Sequence, residues 1–432
     1  MNYQETLEFL YSKLPVFETQ GAHAYKPGLE RCETMDQLLG HPHRRFRSIH
    51  VAGTNGKGSC SHTLASILQE AGYKVGLFTS PHLLDYDERI RINGTPISHQ
   101  YVVDWVTDKY PLLAPQLPSF FELATMMAFC YFADQQVDVA VIEVGLGGRL
   151  DSTNIITPEL CLITNISFDH MQFLGDTLPQ IAAEKAGIMK KGIPCVIGEC
   201  SDERVHFTFT SKAERMQTPL FFANEKHQVI WVRNQTDHLE YDTLSDGTLK
   251  SPLMGDCQPH NANSVLTCVH LLRERGFCIS ETHLHNGFRK VLKNTHLRGR
   301  WEILQQKNPC IIADTGHNEG CFQYLGPQLR HIAESGSQLH IVFGMVSDKD
   351  IASVLKTLPI SATYYFCNAP TPRALPASEL ATMAQPFGLT GNTYPSIDTA
   401  FDAARQAART TDTIFVGGSN FIVCEVLKRF PE

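Results

Sequence analysis

The chain has 432 residues, 43% of them hydrophobic and 19% charged, with a formal net charge of −8. That length exceeds one ordinary core and makes two domains the expectation. The acidic balance argues against a nucleic-acid binder, and no apolar run approaches the ~20 residues that span a bilayer, so neither nucleic acid nor membrane is an expected partner.

Residues 1–47 read as helices feeding a first strand. MNYQETLEFLYSKL is amphipathic and carries acidic residues, unlike a secretory leader. Thirteen scattered cysteines without a C-x-x-C pair point to reduced thiols and a cytoplasmic setting. Gly28, Leu29, Glu30 and Arg31 fall in a loop between Pro27 and a helix around Met35 to Leu39. Ser48 to Ala52 is a buried strand, and Cys60 to Ala71 carries Leu64, Ile67 and Leu68 at helical spacing.

Between that strand and that helix lies HVAGTNGKGS, with Gly53, Thr54, Asn55, Gly56, Lys57, Gly58 and Ser59. Glycines let backbone N–H groups approach phosphate oxygens, and a helix N-terminus adds positive potential. In this reading Lys57 reaches the outer phosphates and Ser59 holds a Mg²⁺. The spacing differs from G-x-x-x-x-G-K-[ST] by one residue between lysine and hydroxyl. The plain alternative is a strand-to-helix turn that uses glycine for tightness.

Lys74 to Thr79 is the next strand, running into Ser80-Pro81-His82 and a polar loop with Asp87, Glu88, Arg89 and Arg91, either a lid or simply surface. Phe120 to Asp134 is a strongly apolar helix with Glu122 in its first turn. Val137 to Val144 is a β-branched run expected at the centre of a parallel sheet. It ends on Glu143 and opens into Gly145-Leu146-Gly147-Gly148-Arg149-Leu150-Asp151. A carboxylate at a strand's C-terminal end, beside a glycine loop, suits a Mg²⁺ ligand better than a structural ion pair.

Leu160 to Ile166 is a strand followed by Ser167-Phe168-Asp169-His170. A helix from about Thr177 sets Ile181, Lys185 and Ile188 on one face. His170 is either a packing histidine or a ligand, and Lys185 either a partner of Glu184 or of phosphate. Residues 201–250 alternate polar strands with turns, Asp246-Gly247 marking a hairpin. Gln258 and Asn261 either read an adenine edge or cap the helix from Ala262 to Gly276.

From about Leu297 strands and helices alternate again, giving a boundary near residue 296: a 1–296 domain carrying the phosphate loop and a 297–432 domain without one. The expected fold is α/β, a mostly parallel N-terminal sheet plus a smaller Rossmann-like C-terminal domain. Strand ends in the latter carry Asp314 with His317-Asn318, Asp348-Lys349-Asp350, Arg373 and Ser419, which together describe a binding face.

In order along the chain, HVAGTNGKGS, FTSPHL (78–83), ERIRING (88–94), EVGLGGRLDSTN (143–154), SFDH, EKAGI, DTGHN (314–318), VFGMVSDKD (342–350) and GGS (417–419) resemble the bacterial folylpolyglutamate synthase/dihydrofolate synthase family of the Mur-type ligases. Departures are Cys257-Gln258 where members often show His-Gln, and Thr315, Gly316 and Glu319 in the DGAHNP-like motif.

The resemblance implies an ATP-dependent ligase that activates a pterin-bearing carboxylate as an acyl phosphate and joins L-glutamate to it, on dihydropteroate, on reduced folates, or on both. It implies ATP at the phosphate loop with Asn261, Arg300 and Asp314. Ser80 and Glu143, with Ser59, are the implied ligands of one Mg²⁺; Glu143, His170 and a carbamylated Lys185 surround a second, and K⁺ is a further expected cation. The implied catalytic set is Lys57, Lys185, His170 and His317. His317 and Ser419 match a glutamate site. Gly28 to Arg31, Ser119, Phe120, Phe121 and Glu122, and Leu150, Asp151 and Ser152 match a dihydropteroate site. A monomer is expected. The competing readings are a synthase that only extends polyglutamate, a nucleotide-switched binding protein that makes no amide, and a cell-wall Mur ligase.

Overall fold

The computed structural model describes residues 1–15 and 28–431; the part of the N-terminal helical reading that covers 16–27, Pro27 included, lies outside them. The chain divides into two compact units: Met1–Ile166, Met171–Pro252 and Pro259–His296 in the first, Ser167–His170, Leu253–Gln258 and Leu297–Glu432 in the second.

The first unit is built on β1 (Arg47–Ala52), β2 (Val75–Phe78), β3 (Ile90–Ile92), β4 (Thr95–Pro96), β5 (Val139–Glu143), β6 (Leu160–Asn165), β7 (Cys195–Glu199) and β8 (Leu220–Phe222). Their order is β4-β3-β2-β5-β1-β6-β7-β8. Six run parallel, and the short β3–β4 hairpin closes one edge antiparallel. Val139 to Ile142 are wholly buried, as a strand covered on both faces requires. One face packs on helices Lys57–Glu70, Gln258–Glu274 and Glu281–Arg289 through Leu64, Ile67, Val265, Leu266, Leu284 and Phe288. The other packs on helix Phe120–Asp134 at β2 and β5, and on helices Leu178–Lys185 and Glu203–Met216 farther along.

Register places Val51 beside Glu143, so the loop after β1 starts level with that carboxylate. A small antiparallel sheet follows, β9 (Val229–Asn234), β10 (Leu239–Thr243) and β11 (Thr248–Ser251), with Asp246-Gly247 in the connection between the last two.

The second unit carries β12 (Glu302–Gln305), β13 (Cys310–Asp314), β14 (Leu339–Phe343), β15 (Thr363–Cys367), β16 (Gly391–Tyr394) and β17 (Thr413–Gly417), ordered β12-β13-β17-β14-β15-β16. All pairs are parallel except β12–β13. Asp314, Gly417 and Phe343 are in register, so the polar segments following these strands leave one edge of the sheet. Among the described residues no helix is long and apolar enough to cross a membrane.

Candidate functional site

The loop after β1 is held from behind by the end of β6. Thr54 N donates to Asn165 O at 3.0 Å, Asn55 N to Asn165 Oδ1 at 2.9 Å, and Thr164 Oγ1 to Asn55 O at 2.5 Å. Gly53 has φ +144°, and a Cβ there would lie 1.8 Å from Thr164 Oγ1 and 3.0 Å from Thr164 N, so only glycine lets the loop lie on β6. Thr164 and Asn165 were not singled out from sequence. The available signal was their place at the C-terminal end of a strand.

Lys57 opens helix Lys57–Glu70, three residues earlier than its apolar spacing indicated, after Gly56 in a left-handed conformation. Its ammonium is folded over the loop and donates to Gly53 O at 3.1 Å and Thr54 O at 3.0 Å. Ser59 is buried in the helix's first turn. Asn261 lies within helix Gln258–Glu274 rather than capping it, and its Oδ1 faces Gly56, 2.4 Å from where a Cβ would be.

A second lysine reaches the same carbonyl: Lys185, buried at 4% exposure, donates to Gly53 O at 2.9 Å. The neighbouring Glu184 instead pairs with Arg149 at 2.8 Å. The turn that presents Lys185 is pressed against the Gly145–Arg149 loop, since a Cβ on Gly187 would meet Arg149 Cα at 2.3 Å. Glu143 is equally buried, at the end of β5. Ser80 is half-buried at the start of the loop after β2. Glu143 and the hydroxyls of Ser59 and Ser80 are hard oxygen donors, the set that suits Mg²⁺. His170 belongs to the second unit, Glu143 and Lys185 to the first.

Among the described residues, two groups of His and carboxylate side chains bring three ligand-type atoms close together: Asp36, His41 and His43, and Asp85, Asp87 and His99. In the former each histidine Nδ1 lies 2.6 Å from one oxygen of Asp36, a hydrogen-bonded arrangement. The loop after β2 is built rather than loose. Glu88 accepts from Leu83 N and Leu84 N at 2.8 and 2.9 Å, and Arg89 donates to His82 Nδ1 at 2.8 Å.

Segments 28–31, 119–122 and 150–152 come together. Arg31 reaches Glu122 Oε1 through Nε and Nη2 at 3.1 and 3.0 Å. Glu122 Oε2 accepts from Ser119 N at 2.7 Å and Ser119 Oγ from Glu122 N at 3.2 Å, a capping box. Ser152 Oγ lies 3.0 Å from Thr125 Oγ1. Asp151 accepts from Leu146 N and Thr153 N, and burial pushes its carboxyl up although these bonds lower it. The helix expected around Met35 starts at Glu30, so Glu30 and Arg31 stand in its first turn rather than in a loop; Leu29 precedes it, Gly28 has φ +116°, and Leu150 is half-buried. Phe120 is buried at 5% among Tyr11 and Tyr86, which makes it core. Phe121 is half-buried beside Phe78, so it is the ring with surface to offer.

In the second unit Asp314 accepts from Trp301 N and Gly316 N, each at 2.7 Å, and burial raises its pKa despite Arg300. Arg300 Nη1 donates to Gly299 O at 3.1 Å and contacts Thr315 Oγ1. His317 Nδ1 lies 3.0 Å from Thr315 O. Ser419 caps helix Asn420–Leu427 through Phe421 N at 3.3 Å. Arg373 pairs with Asp348. Burial pushes the Asp169 carboxyl up, but His170, His317 and Lys349 together hold it well below the usual carboxylate range.

The Mur ligase middle domain model matches residues 51–269, and the model "Mur ligase, glutamate ligase domain" matches 299–420. The chain is 32% identical over 443 residues to the dihydrofolate synthase/folylpolyglutamate synthase of Bacillus subtilis (strain 168), covering 99% of each chain. It belongs to the dihydrofolate synthase/folylpolyglutamate synthase family of Mur ligases. Among solved members, E. coli FolC in complex with DHPP and ADP superposes with a TM-score of 0.86 at 29% identity over 99% of this chain and 97% of that one. The bifunctional folylpolyglutamate synthase/dihydrofolate synthase from Yersinia pestis, complexed with AMPPNP and Mn ion, gives 0.83 at 28% identity over 99% and 98%. The α/β architecture and the expected family are therefore those read from the motifs.

Proposed function

We propose that this synthase joins L-glutamate to dihydropteroate and to reduced folates at the expense of ATP, through an acyl phosphate. The observation that carries the reading is the convergence of Lys57 and Lys185 on the Gly53 carbonyl, in a loop that only glycine can form. The Lys57 ammonium at the phosphate loop suits the approach of an anionic carboxylate to an anionic triphosphate, where charge neutralisation and alignment dominate the barrier.

An acceptor carboxylate oxygen attacks the γ-phosphorus, and the bond to ADP breaks. The glutamate amine then attacks the acyl carbon, loses a proton, and the tetrahedral adduct expels inorganic phosphate to leave an amide. Lys57 is proposed to hold the outer phosphates, and Asn261, Arg300 and Asp314 the rest of the nucleotide. Glu143, Ser59 and Ser80 fit a Mg²⁺, which would screen the triphosphate. Lys185, as a carbamate, adds a carboxylate to Glu143, and His170 is proposed as an imidazole ligand of a second Mg²⁺. Arg31, Phe121 and Ser152 are proposed to meet the acceptor; His317 and Ser419, the glutamate. All thirteen cysteines are free thiols, which fits the cytoplasmic setting proposed for a monomer.

The test supplies ATP, Mg²⁺ and L-glutamate with dihydropteroate as sole acceptor, and separately with tetrahydrofolate. Dihydrofolate formation together with extension of tetrahydrofolate supports both activities. Extension of tetrahydrofolate alone leaves only the polyglutamate half, and glutamate-independent hydrolysis would favour a nucleotide-switched binder.

A further inference from the structure

We infer that Asp169 is a positioning residue for the glutamate half of the reaction, its one carboxylate holding His317, Asn318 and Lys349 in a single arrangement. The inference rests on the reading of His317 as a glutamate-side residue.

Asp169 lies in the short segment Ser167–His170 that groups with the second unit, and its side chain is 7% exposed. Oδ1 accepts from His170 N at 2.8 Å and from Lys349 Nζ at 2.5 Å. Oδ2 accepts from Asn318 Nδ2 at 3.0 Å and faces His317 Nε2 at 3.6 Å. The Lys349 side chain is itself 8% exposed. A buried ammonium and a buried carboxylate are each expensive alone, so the pair fixes the 345–350 loop against the 167–170 segment, and Asn318 on Oδ2 ties the 317–318 loop to the same carboxylate.

The fixing is orientational as well. Asn318 Oδ1 accepts from Cys321 N at 3.0 Å and caps helix Glu319–Glu334, so with Nδ2 on Asp169 both ends of its amide are set. A carbonyl oxygen only accepts, so His317 donates through Nδ1–H to Thr315 O, which turns the Nε2 edge toward Asp169. His317, Asn318 and Lys349 all stand on loops at the C-terminal edge of the second unit's sheet, while His170 meets Asp169 from its own segment, through its main-chain N at 2.8 Å and its imidazole Nε2 at 3.8 Å from Oδ1.

The experiment compares Asp169→Asn, Asp169→Glu and His317→Ala with wild type in steady-state kinetics, with chemical denaturation as a check on folding. Asp169→Asn keeps the volume and removes the charge. The expected result is a KM for L-glutamate raised tenfold or more, a KM for ATP within threefold, and partial recovery in Asp169→Glu. An unchanged glutamate KM, or equal changes for ATP and glutamate, overturns the inference. Should Asp169→Asn not fold, Asp169→Asn/Lys349→Gln removes the stranded ammonium, and a wild-type glutamate KM there overturns it equally. If His317→Ala leaves the glutamate KM unchanged, the glutamate-side reading fails; if His317→Ala raises it and Asp169→Asn does not, only the positioning role fails.

Discussion

Lys57→Ala separates a phosphate ligand from a structural lysine. The ammonium makes two hydrogen bonds, to Gly53 O and Thr54 O, from a half-exposed position. A hydrogen bond contributes a net ~1 kcal/mol, and water replaces part of each here, so the loss should be about 1–2 kcal/mol. Against a typical stability of about 5–15 kcal/mol the variant folds. A preorganised cation on the transferring phosphoryl group is a different matter. Removing one donor of that kind costs on the order of 10²–10³ in kcat, about 3–4 kcal/mol of barrier. The assay pairs glutamate-dependent phosphate release with urea denaturation of the same preparation. Turnover within threefold of wild type would refute the phosphate role. A stability loss above about 4 kcal/mol would refute the claim that the lysine is dispensable to the fold.

Lys185→Ala should abolish most turnover, with a short-chain carboxylic acid restoring part of it; ¹³C-labelled bicarbonate should give a carbamate signal in wild type that the variant lacks, and an unmodified ammonium with nucleotide and Mg²⁺ bound would refute the carbamate. Gly53→Ala forces a Cβ onto Thr164 at φ +144°, so nucleotide affinity should fall at least tenfold with a stability loss of about 1–3 kcal/mol, read by calorimetry and denaturation. Burial pushes the His50 imidazole from 6.5 down to about 3, with Lys190 adding to it. The folded state thus keeps it neutral while the unfolded chain binds a proton below 6.5, so its contribution is complete above pH 6.5 and is lost as pH falls toward 3. At pH 5 the loss is about 2 kcal/mol relative to pH 7.5, and His50→Asn should lack that part of the slope in urea denaturation.

β5 and β6 were legible because Val139-Ala140-Val141-Ile142 and Leu160 to Ile163 are continuous apolar runs of strand length, as two-sided burial demands, whereas the parallel β7 and β8 were not read. Helix starts were less so. Gly56, Lys57 and Gly58 read as loop, yet the helix begins at Lys57 because Gly56 takes the left-handed turn before it. Likewise helix Gln258–Glu274 begins four residues before its first apolar position, which carries Asn261 onto the phosphate loop. β12 and β16 escaped because both are short edge strands, and β16, Gly391–Tyr394, lacks a buried face to give alternation. Nor does any local pattern tell that Ser167–His170, continuous with β6, packs with residues 297–432. That grouping comes from partners more than a hundred residues away, such as Asn318 and Lys349.

Several residues proposed for substrate also have structural work in the fold, and the two uses constrain each other. Both oxygens of Glu122 are engaged, one by Arg31 and one by Ser119 N, so Glu122 holds that guanidinium against the start of helix Phe120–Asp134. Asp151 is committed to Leu146 N and Thr153 in the same way, and shapes the loop that carries Ser152. Ser119 completes the capping box, and its hydroxyl already accepts from Glu122 N. Glu122, Asp151 and Ser119 thus help set where Arg31, Phe121 and Ser152, the residues proposed to meet the acceptor, stand. A motif conveys which residues cluster. The hydrogen bonds show which of them hold others in place: a buried carboxylate that accepts from two segments fixes those segments relative to one another.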